Sequence, residues 1–119
     1  MAWVRLGSLL MFLGVLLGAF GAHGLKHTLT EEGRTVWSTA VMYHLVHGVG
    51  LLAVGWLATL RPAEARLPQA GWLFILGITL FSGSLYLLAL TGIKKLGIIT
   101  PFGGLAFLAG WLLLALSAR

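Results

Sequence analysis

The sequence predicts an all-α integral membrane protein, a four-helix bundle of up-and-down topology, and three observations carry that reading. Apolar residues make up 59% of the 119 and charged residues 9%, against roughly 25% charged in soluble domains, and mean hydropathy is +0.98. A soluble domain this small has too little interior to hide so much apolar surface, so most of it must face lipid. The apolar residues also gather into four runs, Trp3–Ala22, Ala40–Leu60, Ala70–Leu90 and Pro101–Ser117. Each is long enough, at about 1.5 Å per residue, to cross a hydrocarbon core, the last only just. Finally, every backbone polar group in lipid needs a partner, which a helix supplies within itself. The chain is read as a single transmembrane domain, 1–119.

The first run places Arg5 ahead of an apolar stretch and offers the small residues Ala19-Phe20-Gly21, as a cleaved signal peptide would. It reaches a full span before Gly24, however, and is taken as a retained first helix. Gly24 is a natural stop, since glycine accepts the left-handed conformation that ends many helices. Thr30 followed by Glu31 and Glu32 then reads as an N-cap with acids at the positive end of the next helix dipole. The second helix is therefore expected to begin outside the hydrocarbon, with Trp37 at the interface. Arg61–Gln69 connects it to the third helix. After Thr91–Thr100 the pair Thr100-Pro101 starts the fourth, with proline at the first helical position.

An even number of spans puts both termini on one side, with Arg5, Arg61, Arg66 and Arg119. The other side holds Lys26, Arg34, Lys94 and Lys95. Four against four gives the positive-inside rule nothing to act on. The formal charge of +5 is spread singly between apolar runs, which fits membrane-flanking anchors and not nucleic acid. With no cysteine there is neither a disulfide framework nor a thiolate metal site.

Glycine is the packing signal. Gly7, Gly14 and Gly21 stand seven apart, Gly14 with Gly18 forms a GxxxG pair, and Gly48 with Gly55 and Gly103 with Gly110 repeat the spacing. Small residues let helices approach closely in lipid, and a homo-oligomer through such faces is expected. Gly55-Trp56-Leu57 recurs as Gly110-Trp111-Leu112, and Gly24-Leu25-Lys26 as Gly92-Ile93-Lys94, which hints at a duplicated helical hairpin.

The polar heart is Tyr43-His44-Leu45-Val46-His47-Gly48, because ionisable side chains inside a span are functional candidates. Counting from the ends of the runs, His44 and His47 fall roughly 6–10 Å inside. His23, Ser82, Ser84, Tyr86, Thr100, Gly103 and Gly104 fall in the same half of the membrane, on the side of the first and third connections. A ligand site there would take a small solute, ion or lipid. The same groups would equally serve as hydrogen-bonded glue between helices. A metal would have to be held almost entirely by His23, His44 and His47, since no span contains Asp, Glu or Cys. Haem between His23 and His47 is the corresponding redox alternative. No catalytic residue and no cofactor are expected.

Several of these segments occur together in one order: Gly18-Ala19-Phe20-Gly21-Ala22-His23, Tyr43-His44-x-x-His47, Leu80-Phe81-Ser82-Gly83-Ser84-Leu85-Tyr86, Thr100-Pro101-x-Gly103-Gly104 and Phe107-Leu108-Ala109-Gly110-Trp111. In this the chain resembles the YgdD/YwdK-like family of small bacterial membrane proteins, which also has animal relatives. The resemblance implies a four-helix protein of the bacterial inner membrane whose activity is not established. It also marks His23, Tyr43, His47, Ser82, Ser84, Tyr86, Thr100, Pro101, Gly103 and Gly104 as motif positions; at His44 the family accommodates glutamine as readily. Length and span number are similar to small multidrug exporters, but those depend on a membrane-embedded glutamate that is absent here. The expected function is binding or transport of a small solute, ion or lipid through the His/Tyr/Ser cluster. A structural or assembly subunit without a ligand is the alternative, and a histidine-held haem or metal protein the second.

Overall fold

The computed structural model describes residues 1–118, so the expected flanking role of Arg119 lies outside the described residues. Four helices long and apolar enough to cross a membrane run in alternating directions: α1 (Ala2–His23), α2 (Glu31–Leu60), α3 (Arg66–Thr91) and α4 (Thr100–Ser117). The four expected spans are all present. The bundle is somewhat flattened, 48 × 26 × 17 Å: α2 and α3 share the middle, with α1 along α2 and α4 along α3. α2 is the most enclosed helix, burying Trp37, Ala40, His44, His47, Leu51 and Val54. Its inner half joins Leu67, Ala70, Phe74, Ile78 and Phe107 in the main apolar core. The remaining large side chains, among them Phe12, Trp56, Trp72 and Leu108, are exposed to what would be lipid.

The helix starts follow the sequence closely. Thr30 caps α2, its hydroxyl accepting from the Gly33 amide at 2.9 Å, with Glu31 and Glu32 in the first turn. α4 begins with Pro101 in its first turn, after a short 3₁₀ turn at Lys94–Ile98. Gly24 departs from expectation: it is right-handed (φ −70°) and the chain coils on, the Gly24 and Leu25 amides both donating to the Phe20 carbonyl. The reason is burial. Continuing the turn folds Leu25 and Leu29 over Trp37. The left-handed helix end belongs to Gly92 (φ 70°).

The hinted duplication does not extend to local environments. Gly24 and Gly92 differ in backbone handedness, and Trp56 faces outward while Trp111 bonds inward to α2. The glycines mark where helices meet within the chain. Gly7, Gly14 and Gly18 stand against Leu51, Leu45 and Val41 of α2, and Gly21 leaves room for the Trp37 indole. Gly48 faces Met11, Gly55 faces Trp3 and Val4, and Gly110 faces Phe74. These seams lie inside the bundle, not on an outer face free for a second copy.

The tightest approach joins α3 to α4. At Ile78–Ser82 α3 makes one π-helical turn, in which the Gly83 amide reaches back five residues to the Ile78 carbonyl. Such a turn inserts one extra residue and re-aims the side chains beyond it. Here it lets the Phe81 backbone settle directly onto Gly103, where any Cβ would collide with main-chain atoms. Gly103→Ala is therefore expected to destabilise the bundle by about 1–3 kcal/mol, read as a lower Tm in detergent. Gly104→Ala, whose added carbon would stand 3.8 Å from Phe81 Cδ2, should hold or raise Tm, because alanine outranks glycine in a helix by about 1 kcal/mol. Equal losses in the two variants would refute this packing.

Candidate functional site

His44 and His47 stand at the middle of α2, both almost fully buried. Their partners set their depth. His44 faces Gly14 of α1, nine residues from the end of α1 at His23, so about 13 Å in. His47 is one turn deeper. Counted instead from Ala40, where the apolar run of α2 begins, the same two residues lie about 6–10 Å in; the two counts differ because α1 and α2 overlap more than the run boundaries suggested.

His44 ties three helices together. Its Nε2 lies 2.8 Å from the Leu10 carbonyl of α1, and its Nδ1 lies 2.8 Å from the Tyr86 hydroxyl of α3. A carbonyl only accepts, so Nε2 carries the proton; in the neutral ring Nδ1 then accepts from Tyr86. His47 has the opposite tautomer. Its Nδ1–H donates to the Tyr43 carbonyl one turn earlier at 2.6 Å, and Nε2 accepts from the Trp111 indole of α4 at 2.9 Å. The His47 ring also lies flat on Phe107, with centroids 3.5 Å apart. Each imidazole thus has both nitrogens engaged, and the two tautomers are dictated by which partner is a carbonyl.

The hydroxyls behave likewise. Ser82, fully buried, donates across to the Ala40 carbonyl of α2 at 2.7 Å. Thr100 donates to Ser84 at 2.6 Å, and Ser84 passes its own proton to the Phe81 carbonyl at 2.9 Å. Trp37 donates from its indole to the Leu17 carbonyl of α1 at 2.9 Å and packs against Tyr86. It is buried within the bundle because α1 offers Gly21 beneath it. At the opposite end the Arg61 guanidinium donates to the Ser117 carbonyl, joining the end of α2 to the end of α4. Among the described residues no buried side-chain nitrogen or oxygen lacks a partner.

His44, His47, Ser82 and Tyr86 are therefore brought into one ladder centred on α2, and Ser84 and Thr100 pair beside it between α3 and α4. Tyr43 contributes its carbonyl and its ring, which packs on Phe81. Gly103 and Gly104 serve the α3–α4 contact. His23 is not part of this assembly; it lies exposed at the end of α1. Residues beyond the expected set are Trp37, Phe107 and Trp111, together with the carbonyls of Leu10, Leu17 and Ala40. The Phe107–Trp111 motif already contained two of these. The carbonyl partners carry no sequence signal, because any residue supplies one.

A haem iron or metal would need a free imidazole lone pair. That of His44 is filled by Tyr86 and that of His47 by Trp111, so these residues do not fit such a group. Among the described residues no cluster of three His, Cys, Asp or Glu side chains forms.

The family model described as "Protein of unknown function (DUF423)" matches residues 17–104. Relatives include the UPF0382 membrane protein SH2409 of Staphylococcus haemolyticus, 48% identical over 97% of this chain and 93% of its own length. The UPF0382 membrane protein YwdK of Bacillus subtilis is 45% identical over 98% and 94%. No solved structure matches the chain. The chain belongs to this family of bacterial multi-pass membrane proteins, as the resemblance read from its motifs implied.

Two measurements check the ladder. Nitrogen NMR of histidine-labelled protein carrying His23→Gln and His27→Gln, which leaves His44 and His47 as its two histidines, should show one Nε2–H and one Nδ1–H neutral imidazole; two identical tautomers would contradict the arrangement. Tyr86→Phe should cost about 1–2 kcal/mol in detergent unfolding, since it strips the donor from a buried Nδ1. Tyr43→Phe, which removes a hydroxyl from a partly exposed ring, should cost little.

Proposed function

We propose that this member of the family acts as a structural or assembly subunit of the membrane, a small rigid bundle whose inner polar groups join helices and bind no solute. One observation carries the proposal: the candidate ligand groups are spent on one another. Each imidazole nitrogen of His44 and His47 and each hydroxyl proton of Ser82 and Ser84 already meets a neighbouring helix or its own backbone. Displacing them would leave buried donors and acceptors unpaired, at about 1–3 kcal/mol each. A transport site gains by offering unsatisfied groups to its solute, and among the described residues no buried side-chain nitrogen or oxygen is without a partner.

Proton coupling meets the same obstacle. Histidine is the side chain suited to exchange near neutral pH, yet protonating His47 at Nε2 would replace an acceptor by a donor facing the Trp111 N–H. The charged ring and the indole would then both donate, and the bond joining α2 to α4 would be lost.

A second reading is favoured by the π turn at Ile78–Ser82. Such turns recur at functional sites, and this one adjoins Ser82, Ser84 and Tyr86. If α3 opened there, its release from Ala40 and His44 would uncover the ladder to a small neutral or anionic solute.

Proteoliposomes separate the two. The structural reading expects His47→Gln and Ser82→Ala to lower Tm in detergent by several degrees, while proton and chloride fluxes across wild-type proteoliposomes match those of protein-free vesicles. A flux above that background, abolished in His47→Gln vesicles containing folded protein, would overturn it in favour of the opening bundle.

A further inference from the structure

Away from the ladder, α1 and α2 part on their lipid-facing side to leave a groove of about 450 Å³. It opens beside the seam that Val41 and Trp37 close against Gly18 and Gly21, and its α1 wall consists of the small residues Gly18, Gly21 and Ala22. Its polar groups are graded by depth. Lys26 and Arg34 flank the outer end, Ser38 follows one turn inward, and Val41, Met42 and Leu45 line the inner stretch.

One of the two cations is held in place. The Arg34 guanidinium donates to the backbone carbonyl of Lys26 at 3.0 Å, which fixes Arg34 at the mouth of the groove. No carboxylate lines it. Glu31 shares a separate outer depression with Arg34, and Glu32 faces a third beside Lys94. Among the described residues neither Lys26 nor Arg34 is ion-paired; the ion pair present is Arg66–Glu64. The groove thus combines uncompensated positive charge at one end with an apolar floor at the other.

That grading has the dimensions of a lipid. From Arg34 to Ser38 the rise is about 6 Å, and from Ser38 to Leu45 about 10 Å. The headgroup layer of one leaflet is about 5–7 Å deep before hydrocarbon begins. A phosphate seated between Lys26 and Arg34 would put the glycerol esters beside the Ser38 hydroxyl, and an acyl chain along Val41, Met42 and Leu45. We propose that this groove is a binding site for one anionic glycerophospholipid, a role beyond the structural one of the ladder and independent of it. Charge at the mouth selects a net-negative headgroup over a zwitterionic one, and the apolar floor selects a lipid over a free anion.

Native mass spectrometry of the full chain, titrated with phosphatidylglycerol or phosphatidylcholine of the same acyl composition, tests the assignment. Phosphatidylglycerol is expected to give one retained adduct at concentrations where phosphatidylcholine gives none. The Lys26→Gln/Arg34→Gln variant should weaken it about tenfold or more, as two interfacial cations warrant. Lys26→Gln alone keeps the Arg34 bond to the loop and should show part of that loss. Ser38→Phe, which blocks the groove without altering charge, should weaken it as well. Lys94→Gln/Lys95→Gln removes the same charge on the same side of the membrane and should leave binding unchanged. Equal retention of phosphatidylcholine, equal loss in the Lys94/Lys95 variant, no loss in Ser38→Phe, or displacement by millimolar inorganic phosphate would each overturn the proposal.

Discussion

The structure depends on the spare lone pair of the helical carbonyl. In lipid each backbone carbonyl is already paired within its helix, and the apolar surroundings give helices little reason to prefer one another over lipid tails. A carbonyl can still accept a second bond from a side chain on a neighbour. His44 does this at Leu10, Trp37 at Leu17, and Ser82 at Ala40. These bonds lie between helices that also need close approach, so each occurs where small residues bring the backbones together. Hydrogen bonds of this kind are worth about 0.6–1.7 kcal/mol each in membranes. Their greater effect is on register, since a slide of one residue would leave imidazoles and hydroxyls unpaired in hydrocarbon.

Concentrating these contacts on α2 explains why that helix carries the ionisable residues. It lies between α1 and α3, and reaches α4 through the indole of Trp111. A histidine offers two nitrogens on opposite edges of its ring, and so can serve two neighbours where serine serves one well. His44 reaches α1 and α3 at once; His47 anchors itself to its own helix and receives α4. The opposite tautomers arise from these partners.

Sequence pattern made the fold legible because lipid leaves so few choices. Run length set the spans, Thr30 and Pro101 set two helix starts, and the glycines marked where helices meet. The candidate groups could be named from polarity alone, and most do converge. Three aspects were not legible. Depth is hidden because apolar runs do not report how helices overlap. Gly24 misleads because burial of Leu25 and Leu29 over Trp37 outweighs its local freedom. The ladder's closure could not be seen because its acceptors are carbonyls, and the extra residue of the π turn, which aims Ser82 at α2 and Ser84 at Thr100, leaves no mark in composition.

Closure of the ladder bears on where activity can reside. A bundle whose inner polar groups are mutually satisfied exchanges with its surroundings only through its outer surface. That surface is not uniform. On α1 the glycine edge is filled by α2 along its length, Gly14 by Leu45, Gly18 by Val41 and Gly21 by Trp37, but beside that edge, toward His23, Gly18, Gly21 and Ala22 wall an open groove. Small residues thus serve close packing on one side and an open groove on the other. Trp37 shares in both, its indole bonded to the Leu17 carbonyl over Gly21 and its ring on the groove wall with Ser38 and Arg34. The indole that locks α1 to α2 is therefore also part of the groove wall.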